Sequence, residues 1–219
     1  MPTGVFAAIF DLDGVLTSTS VRHEQSWADA AARFGVPVSE AALHATRSVP
    51  RASALSALLD HAGIIMPASD REALMAFKNE RYQQLIESLQ PADAFLGAHT
   101  ALARCRELGM KIGIASASMN AALVLERIGL QSLVDFVADP GKAAPKPSGE
   151  IYSLACAALG APPQHALCIE DGAAMIANLR AANMYTVGIG DHPLGADEQF
   201  SSVAKWNVDA TMMRLKHRA

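Results

Sequence analysis

The chain has 219 residues, a formal net charge of −4 and 51% hydrophobic residues, which fits one globular unit or a core carrying a smaller insert. Its charges are mixed, without the basic stripe that a nucleic-acid polyanion requires. No apolar run reaches the ~18 residues of a membrane helix, and the first residues lack the pattern of an export signal.

In chain order, Val5 to Phe10 (VFAAIF) is a short continuous apolar run of the kind found in strands buried on both faces. It stops at Asp11-Leu-Asp13-Gly14. From about Thr19 to about Pro91 only helical patterns follow: Arg22 to Phe34, Ala52 to Ala62 and Arg71 to Leu89, punctuated by Pro37, Pro50 and Pro67. Strands then return, at Lys111 to Ala115, Phe136 to Ala138, Ala166 to Ile169 and Thr186 to Ile189, with a weak one at Val208 to Thr211. Between them lie helical patterns at His99 to Leu108, Ala121 to Ile128, Glu150 to Leu159 and Ala174 to Asn183, several ending at glycine. The alternation predicts a doubly wound parallel sheet. The expected α/β core is 1–16 with 93–219, and the expected inserted helical cap is 17–92. Cys105, Cys156 and Cys168 are far apart and form no CxxC pair, so they read as buried hydrophobes of a reducing cytoplasm. No long apolar stripe is left unassigned, so a monomer without membrane or nucleic-acid partners is expected.

Four polar clusters fall at predicted strand ends: Asp11-Leu-Asp13-Gly14, Ser116-Ala117-Ser118-Met119-Asn120, Pro145-Lys146-Pro147 and Glu170-Asp171-Gly172. Strand ends of a doubly wound sheet converge on one crevice, and the gathered groups suit phosphoryl transfer, which depends on positioning and on stabilising charge. An aspartate such as Asp11 can attack phosphorus as a nucleophile. Asp11, Glu170 and Asp171 offer the hard oxygens that hold Mg2+. Lys146 places a charge on the phosphoryl oxygens, and Ser116 can donate to them together with N–H groups of the following segment, Ala117 included. Asp13, two positions on along an extended segment, shares a face with Asp11 and suits a general acid/base, for which its pKa must rise above the ordinary value of about 3.9.

These clusters, in order and context, resemble the haloacid dehalogenase superfamily. With His23, Trp27, Arg51, Lys78-Asn79 and Pro91-Ala-Asp93, nearly the whole chain is similar to the β-phosphoglucomutase family. The resemblance implies interconversion of β-D-glucose 1-phosphate and D-glucose 6-phosphate through bound glucose 1,6-bisphosphate. It implies an aspartyl phosphate on Asp11, acid/base work by Asp13, and magnesium on Asp11, the Asp13 carbonyl, Glu170 and Asp171. Ser116 and Lys146 would hold the transferring phosphoryl group, and Arg51, Ser118 and Asn120 the distal phosphate. His23 and Lys78 match cap positions that couple closure to Asp13; Trp27 is carried with them among the substrate-binding positions, while from the residues themselves Trp27 and Phe34 read as packing of the cap. Against the family pattern, Ser18 stands where Asp is frequent, Met119 where Lys is frequent, Ser48 where Gly is usual and Gly172 where Ser or Ala is usual. The alternative is a magnesium-dependent phosphatase of small sugar or polyol phosphates, using the same Asp11 chemistry with water as acceptor.

Overall fold

The computed structural model describes residues 4–47 and 49–218; Ser48 therefore lies outside the described residues. The chain divides into two compact units, Met1–Ser18 with Gln90–Ala219, and Thr19–Leu89.

The larger unit is built on a six-stranded sheet. Its strands are β1 (Ala7–Phe10), β2 (Lys111–Ile114), β3 (Phe136–Val137), β4 (Ala166–Glu170), β5 (Tyr185–Ile189) and β6 (Glu198–Phe200). The order is β3-β2-β1-β4-β5-β6 and every described pair is parallel. Strands β1, β4 and β5 are buried along their whole length, which is why they read as unbroken apolar runs rather than as alternation. The order reverses at β1, so β1 has β2 on one side and β4 on the other. In an open sheet of this kind, the crevice for a ligand lies outside the carboxyl ends of the strands where the order reverses.

The sheet is flanked by α5 (Ala98–Glu107), α6 (Ala121–Arg127), α7 (Glu150–Leu159), α8 (Ala173–Ala181) and α9 (Val208–Arg218). On one face Ile151, Tyr152, Ala155 and Cys156 of α7 join Ala7, Ile9 and Cys168 in an apolar cluster. Alanine and glycine let the layers approach closely here: a Cβ on Gly113 of β2 would lie 3.0 Å from Leu159 Cδ1 and 3.4 Å from Ala155 Cβ. All three cysteines are buried and free.

The smaller unit consists of α1 (Ser20–Arg33), α2 (Glu40–His44), α3 (Arg51–Ala62) and α4 (Ala68–Ile86). Its core gathers Trp27, Ala30 and Ala31 of α1, Leu55, Leu58 and Leu59 of α3, and Leu74 of α4. No helix among the described residues is long and apolar enough to cross a membrane.

Three departures from the sequence expectations have plain causes. Val208–Thr211 is not a strand but the first turn of α9, where Val208, Thr211, Met212 and Leu215 are buried at helical spacing and Asn207 Oδ1 accepts the N–H of Ala210. Strand β6 is a half-buried edge with sequence EQF, too short and polar to show a pattern. The short α2 buries no residue, so it has no apolar stripe to read.

The unit boundary also lies two residues further along at its first crossing. Thr17 is fully buried; its hydroxyl donates to Asp93 O at 2.8 Å and its backbone bridges to Asp13 and to Ala94. Phe95 N–H donates to Leu16 O at 2.8 Å. The two chain crossings are thus tied to each other by hydrogen bonds and belong to the larger unit.

Ile9 is fully buried at the centre of the sheet. Ile9→Ala should lower unfolding free energy by about 2–5 kcal/mol in a denaturant titration; a change below about 1 kcal/mol would place this strand outside the cooperative core.

Candidate active site

Strand β1 ends at Phe10, and Asp11 is held in line by its N–H bond to Ile169 O at 2.9 Å. The chain then turns rather than running on extended. Leu16 N–H and Thr17 N–H both return to Leu12 O, at 2.9 and 3.1 Å, and Gly14 N–H reaches Thr17 O at 2.8 Å. Gly14 takes φ +90° to close this turn, a backbone state open to glycine. Asp13 is therefore carried by a half-buried turn, not by an extended segment. The alternation argument for its side-chain direction does not apply.

Parallel register brings the end of β4 beside that of β1, with Phe10 opposite Ile169. Asp11, Glu170 and Asp171 each place a carboxylate oxygen within 4.8 Å of the others. Glu170 is 2% exposed. Its Oε2 accepts the N–H groups of Asp171 and Gly172, each at 2.8 Å, and its Oε1 accepts from Lys146 Nζ at 2.7 Å. Lys146 Nζ also lies 2.9 Å from Asp11 Oδ1 and 5.4 Å from the centre of the Tyr152 ring. The loop that brings it there contains a cis Lys146–Pro147 bond and is anchored by Asn178 Nδ2, which donates to Pro147 O at 2.6 Å.

One ammonium thus faces three carboxylates. Burial pushes the pKa of Asp11 up to about 8; the charge of Lys146 opposes this, and those of Glu170 and Asp171 reinforce it. Asp171 is pushed up to about 7, first by burial and then by Glu170. Burial works against the charge of Lys146, but Asp11 and Glu170 outweigh it and hold the ammonium above its ordinary value. Uncompensated negative charge on a closely spaced set of hard oxygens fits a divalent cation such as Mg2+. The less engaged oxygens are those of Asp11 and Asp171, whereas Glu170 already accepts three N–H groups.

At the end of β2, Ser116 is 3% exposed, and its Oγ accepts the N–H of Ser118 at 3.1 Å. Ser118 Oγ in turn accepts the N–H of Asn120 at 3.2 Å. These two side-chain turns wind the chain toward α6. Ala117 lies between them, half-buried, and Asn120 is buried. Met119 stands out at 61% exposure.

In the helical unit, His23, Trp27, Arg51 and Lys78 also come together. Lys78 is 3% exposed. Its Nζ lies 2.8 Å from His23 Nδ1, 4.8 Å from the Tyr82 ring centre and 5.2 Å from that of Trp27. His23 stacks on Tyr82 at 3.9 Å between ring centres. Burial, then the charges of Lys78 and Arg51, drive the His23 pKa well below its ordinary value. An ammonium on Lys78 can only donate to Nδ1 of that neutral ring, and Lys78 itself is lowered to about 7, by burial first and Arg51 second. Arg51 is half-buried and donates from Nη2 to Asn79 Oδ1 at 2.7 Å; burial lowers its pKa, with no carboxylate among the described residues opposing it. Trp27 is 3% exposed in the apolar core of this unit, with Phe34 packed against the same cluster, as its reading as cap packing implies. There it acts as an aromatic wall for the ammonium of Lys78.

Sequence patterns alone leave out Thr19, Tyr82 and Tyr152. Tyr82 donates to Thr19 Oγ1 at 2.9 Å, and its place four residues after Lys78 on α4 was the available signal.

Comparison with known proteins agrees with this geometry. The family model described as haloacid dehalogenase-like hydrolase matches residues 7–183. The chain is 33% identical to β-phosphoglucomutase of Bacillus subtilis over 196 residues, 87% of each chain. It is 28% identical to validoxylamine A 7'-phosphate phosphatase of Streptomyces hygroscopicus, over 83% of this chain and 84% of that one. The crystal structure of a β-phosphoglucomutase from Clostridium difficile superposes with a TM-score of 0.89 at 28% identity, covering 97% of this chain and 98% of that one. The protein belongs to the haloacid dehalogenase-like hydrolases and, among them, to the β-phosphoglucomutase family. It is an enzyme of phosphoryl transfer, of mutase or phosphatase type.

The raised carboxylates carry a pH signature. Unfolded, Asp11 and Asp171 ionise near the ordinary value of about 4; folded and metal-free, they keep protons toward about 8 and about 7. The folded state then binds more protons in that window, so this contribution to stability is full below about pH 4 and is lost as pH rises through the folded values. Metal-free protein should melt at progressively lower temperature between about pH 5 and about pH 8, and Mg2+ should restore Tm most at the alkaline end, where protons no longer compete for the oxygens. A Tm shift from Mg2+ that is equal at both pH values would contradict this charge balance.

Proposed function

We propose that the protein interconverts β-D-glucose 1-phosphate and D-glucose 6-phosphate through an aspartyl phosphate on Asp11 and a bound glucose 1,6-bisphosphate. The observation that carries the phosphoryl-transfer chemistry is the buried Asp11 carboxylate beside Lys146, Glu170 and Asp171. In the first half, the 6-hydroxyl oxygen of β-D-glucose 1-phosphate attacks the phosphorus of the aspartyl phosphate, Asp13 takes that hydroxyl's proton, the bond from phosphorus to Asp11 breaks, and glucose 1,6-bisphosphate forms. In the second half, with the bisphosphate turned end for end, an Asp11 oxygen attacks the phosphorus at the 1-position, the bond from phosphorus to the sugar oxygen breaks, Asp13 returns the proton to that oxygen, and D-glucose 6-phosphate leaves with the aspartyl phosphate restored. Lys146 and Ser116, with the N–H of Ala117, hold the transferring group, whose charge is spread over its outer oxygens. Asp11, the Asp13 carbonyl, Glu170 and Asp171 would hold Mg2+, which when bound neutralises negative charge between nucleophile and phosphate.

The mutase reading draws support from the similarity to the Bacillus subtilis enzyme and from Arg51. A half-buried guanidinium without a carboxylate partner among the described residues suits the phosphate that stays on the sugar. Ser118 and Asn120 are assigned to the same phosphate. His23 and Lys78 form one hydrogen-bonded pair, suited to a coupling role toward Asp13. The phosphatase reading is favoured by one specific feature, the exposed thioether of Met119 beside Ser118 and Asn120, which adds no cation for a second phosphate.

One assay separates them. With Mg2+, a trace of glucose 1,6-bisphosphate and β-D-glucose 1-phosphate, glucose 6-phosphate should appear well ahead of free phosphate; free phosphate without glucose 6-phosphate would establish the phosphatase. In the same assay Arg51→Ala should lower isomerisation about tenfold or more, the equivalent of one lost charge-assisted hydrogen bond, while hydrolysis of a simple aryl phosphate changes little. Equal loss of both would remove Arg51 from the distal site.

A further inference from the structure

A Cβ placed on Gly14 would lie 1.9 Å from Asp171 Oδ2 and 2.6 Å from Asp171 Cγ. Those are overlapping atoms, so a side chain at position 14 and the present place of the Asp171 carboxylate exclude each other. The backbones on both sides are pinned. The turn around Gly14 is closed by Gly14 N–H to Thr17 O at 2.8 Å and Thr17 N–H to Leu12 O at 3.1 Å, and Thr17 is bound through its hydroxyl to Asp93 O at 2.8 Å. On the other side the N–H groups of Asp171 and Gly172 are held by Glu170 Oε2, each at 2.8 Å, and Glu170 is fixed by Lys146 at 2.7 Å. The part of the contact that lies outside these backbone hydrogen bonds is the Asp171 side chain. It is the part that would yield, and yielding takes its oxygen out of the cluster with Asp11 and Glu170.

We propose that Gly14 is a positioning residue for divalent-cation binding: its bare Cα admits the Asp171 carboxylate to the cluster formed with Asp11 and Glu170. This rests on the magnesium reading of that cluster and extends it to a residue that contributes no side-chain ligand. The positive φ alone does not account for glycine here in the way it does elsewhere. Gly63 has φ +66° and nothing within 4 Å of its would-be Cβ, so backbone conformation is its whole requirement. Gly14 meets that requirement and a steric one, against a carboxylate of the site.

The test uses the full chain stripped of metal by chelator. Mg2+ affinity is measured by titration calorimetry, without substrate, for the wild type, Gly14→Ala and Gly63→Ala. Gly14→Ala should weaken Mg2+ binding about 10- to 100-fold, the range seen when the supporting groups of metal ligands are altered. Gly63→Ala carries a similar backbone conflict and should lower Tm while leaving Mg2+ affinity unchanged. A metal-free thermal cycle keeps the proposal testable if Gly14→Ala folds poorly: Gly14→Ala should lower Tm much less in an Asp171→Ala background than in the wild type, because the opposing carboxylate is gone. Equal Mg2+ affinity of Gly14→Ala and wild type, or equal Tm losses in the two backgrounds, would overturn the positioning role alone. Failure of the wild type to bind Mg2+ would overturn the metal reading, and this proposal with it.

Discussion

Repulsion among three carboxylates at the ends of β1 and β4 is the interaction around which the larger unit is arranged. Two unit charges at about 4 Å interact by about 4 kcal/mol even at an effective dielectric near 20, and here three carboxylate oxygens lie within 4.8 Å of one another. The fold contains this repulsion in two ways. Lys146 bridges Asp11 and Glu170. Glu170 is further bound by two backbone N–H groups at the approach to α8. Burial first, and the neighbouring carboxylates after it, raise the pKa of Asp11 and Asp171, the two groups whose oxygens are less engaged than those of Glu170. A phosphate ester adds more negative charge, and a cation held by this cluster would offset it.

The helical unit sets the opposite problem. It gathers Arg51, Lys78 and His23, and burial lowers the pKa of each. The conflict is relieved by keeping His23 neutral, 2.8 Å from Lys78 Nζ at Nδ1, and by facing Lys78 with the rings of Trp27 and Tyr82. Arg51 keeps its charge and makes its hydrogen bond to an amide oxygen, that of Asn79. A unit with this electrostatic character is suited to an anionic ligand.

Much of this is legible in the chain itself. The fully buried strands β1, β4 and β5 appear as unbroken apolar runs because both faces of a parallel sheet are covered. The acidic pairs stand out because they interrupt those runs abruptly. Elements with little buried surface were not legible: α2 buries nothing and β6 is a half-buried edge. Val208–Thr211 misleads because four residues cannot separate a strand from a helical turn. The site was readable as a set of residue types, but not as a set of contacts. That Lys146 bridges two carboxylates and that Gly14 must be bare to admit Asp171 depend on pairs 24 to 157 positions apart. Local pattern carries no information about them.

The central claim is that Asp11 becomes covalently phosphorylated during turnover. It is tested most directly by quenching the enzyme in acid during reaction with Mg2+ and a phosphate donor, then locating phosphate by peptide mass spectrometry. The account predicts phosphate on the peptide containing Asp11, absent from Asp11→Asn and from a sample treated with chelator before the donor is added. Turnover by Asp11→Asn, or phosphate found on a different residue with Asp11 unmodified, would contradict it.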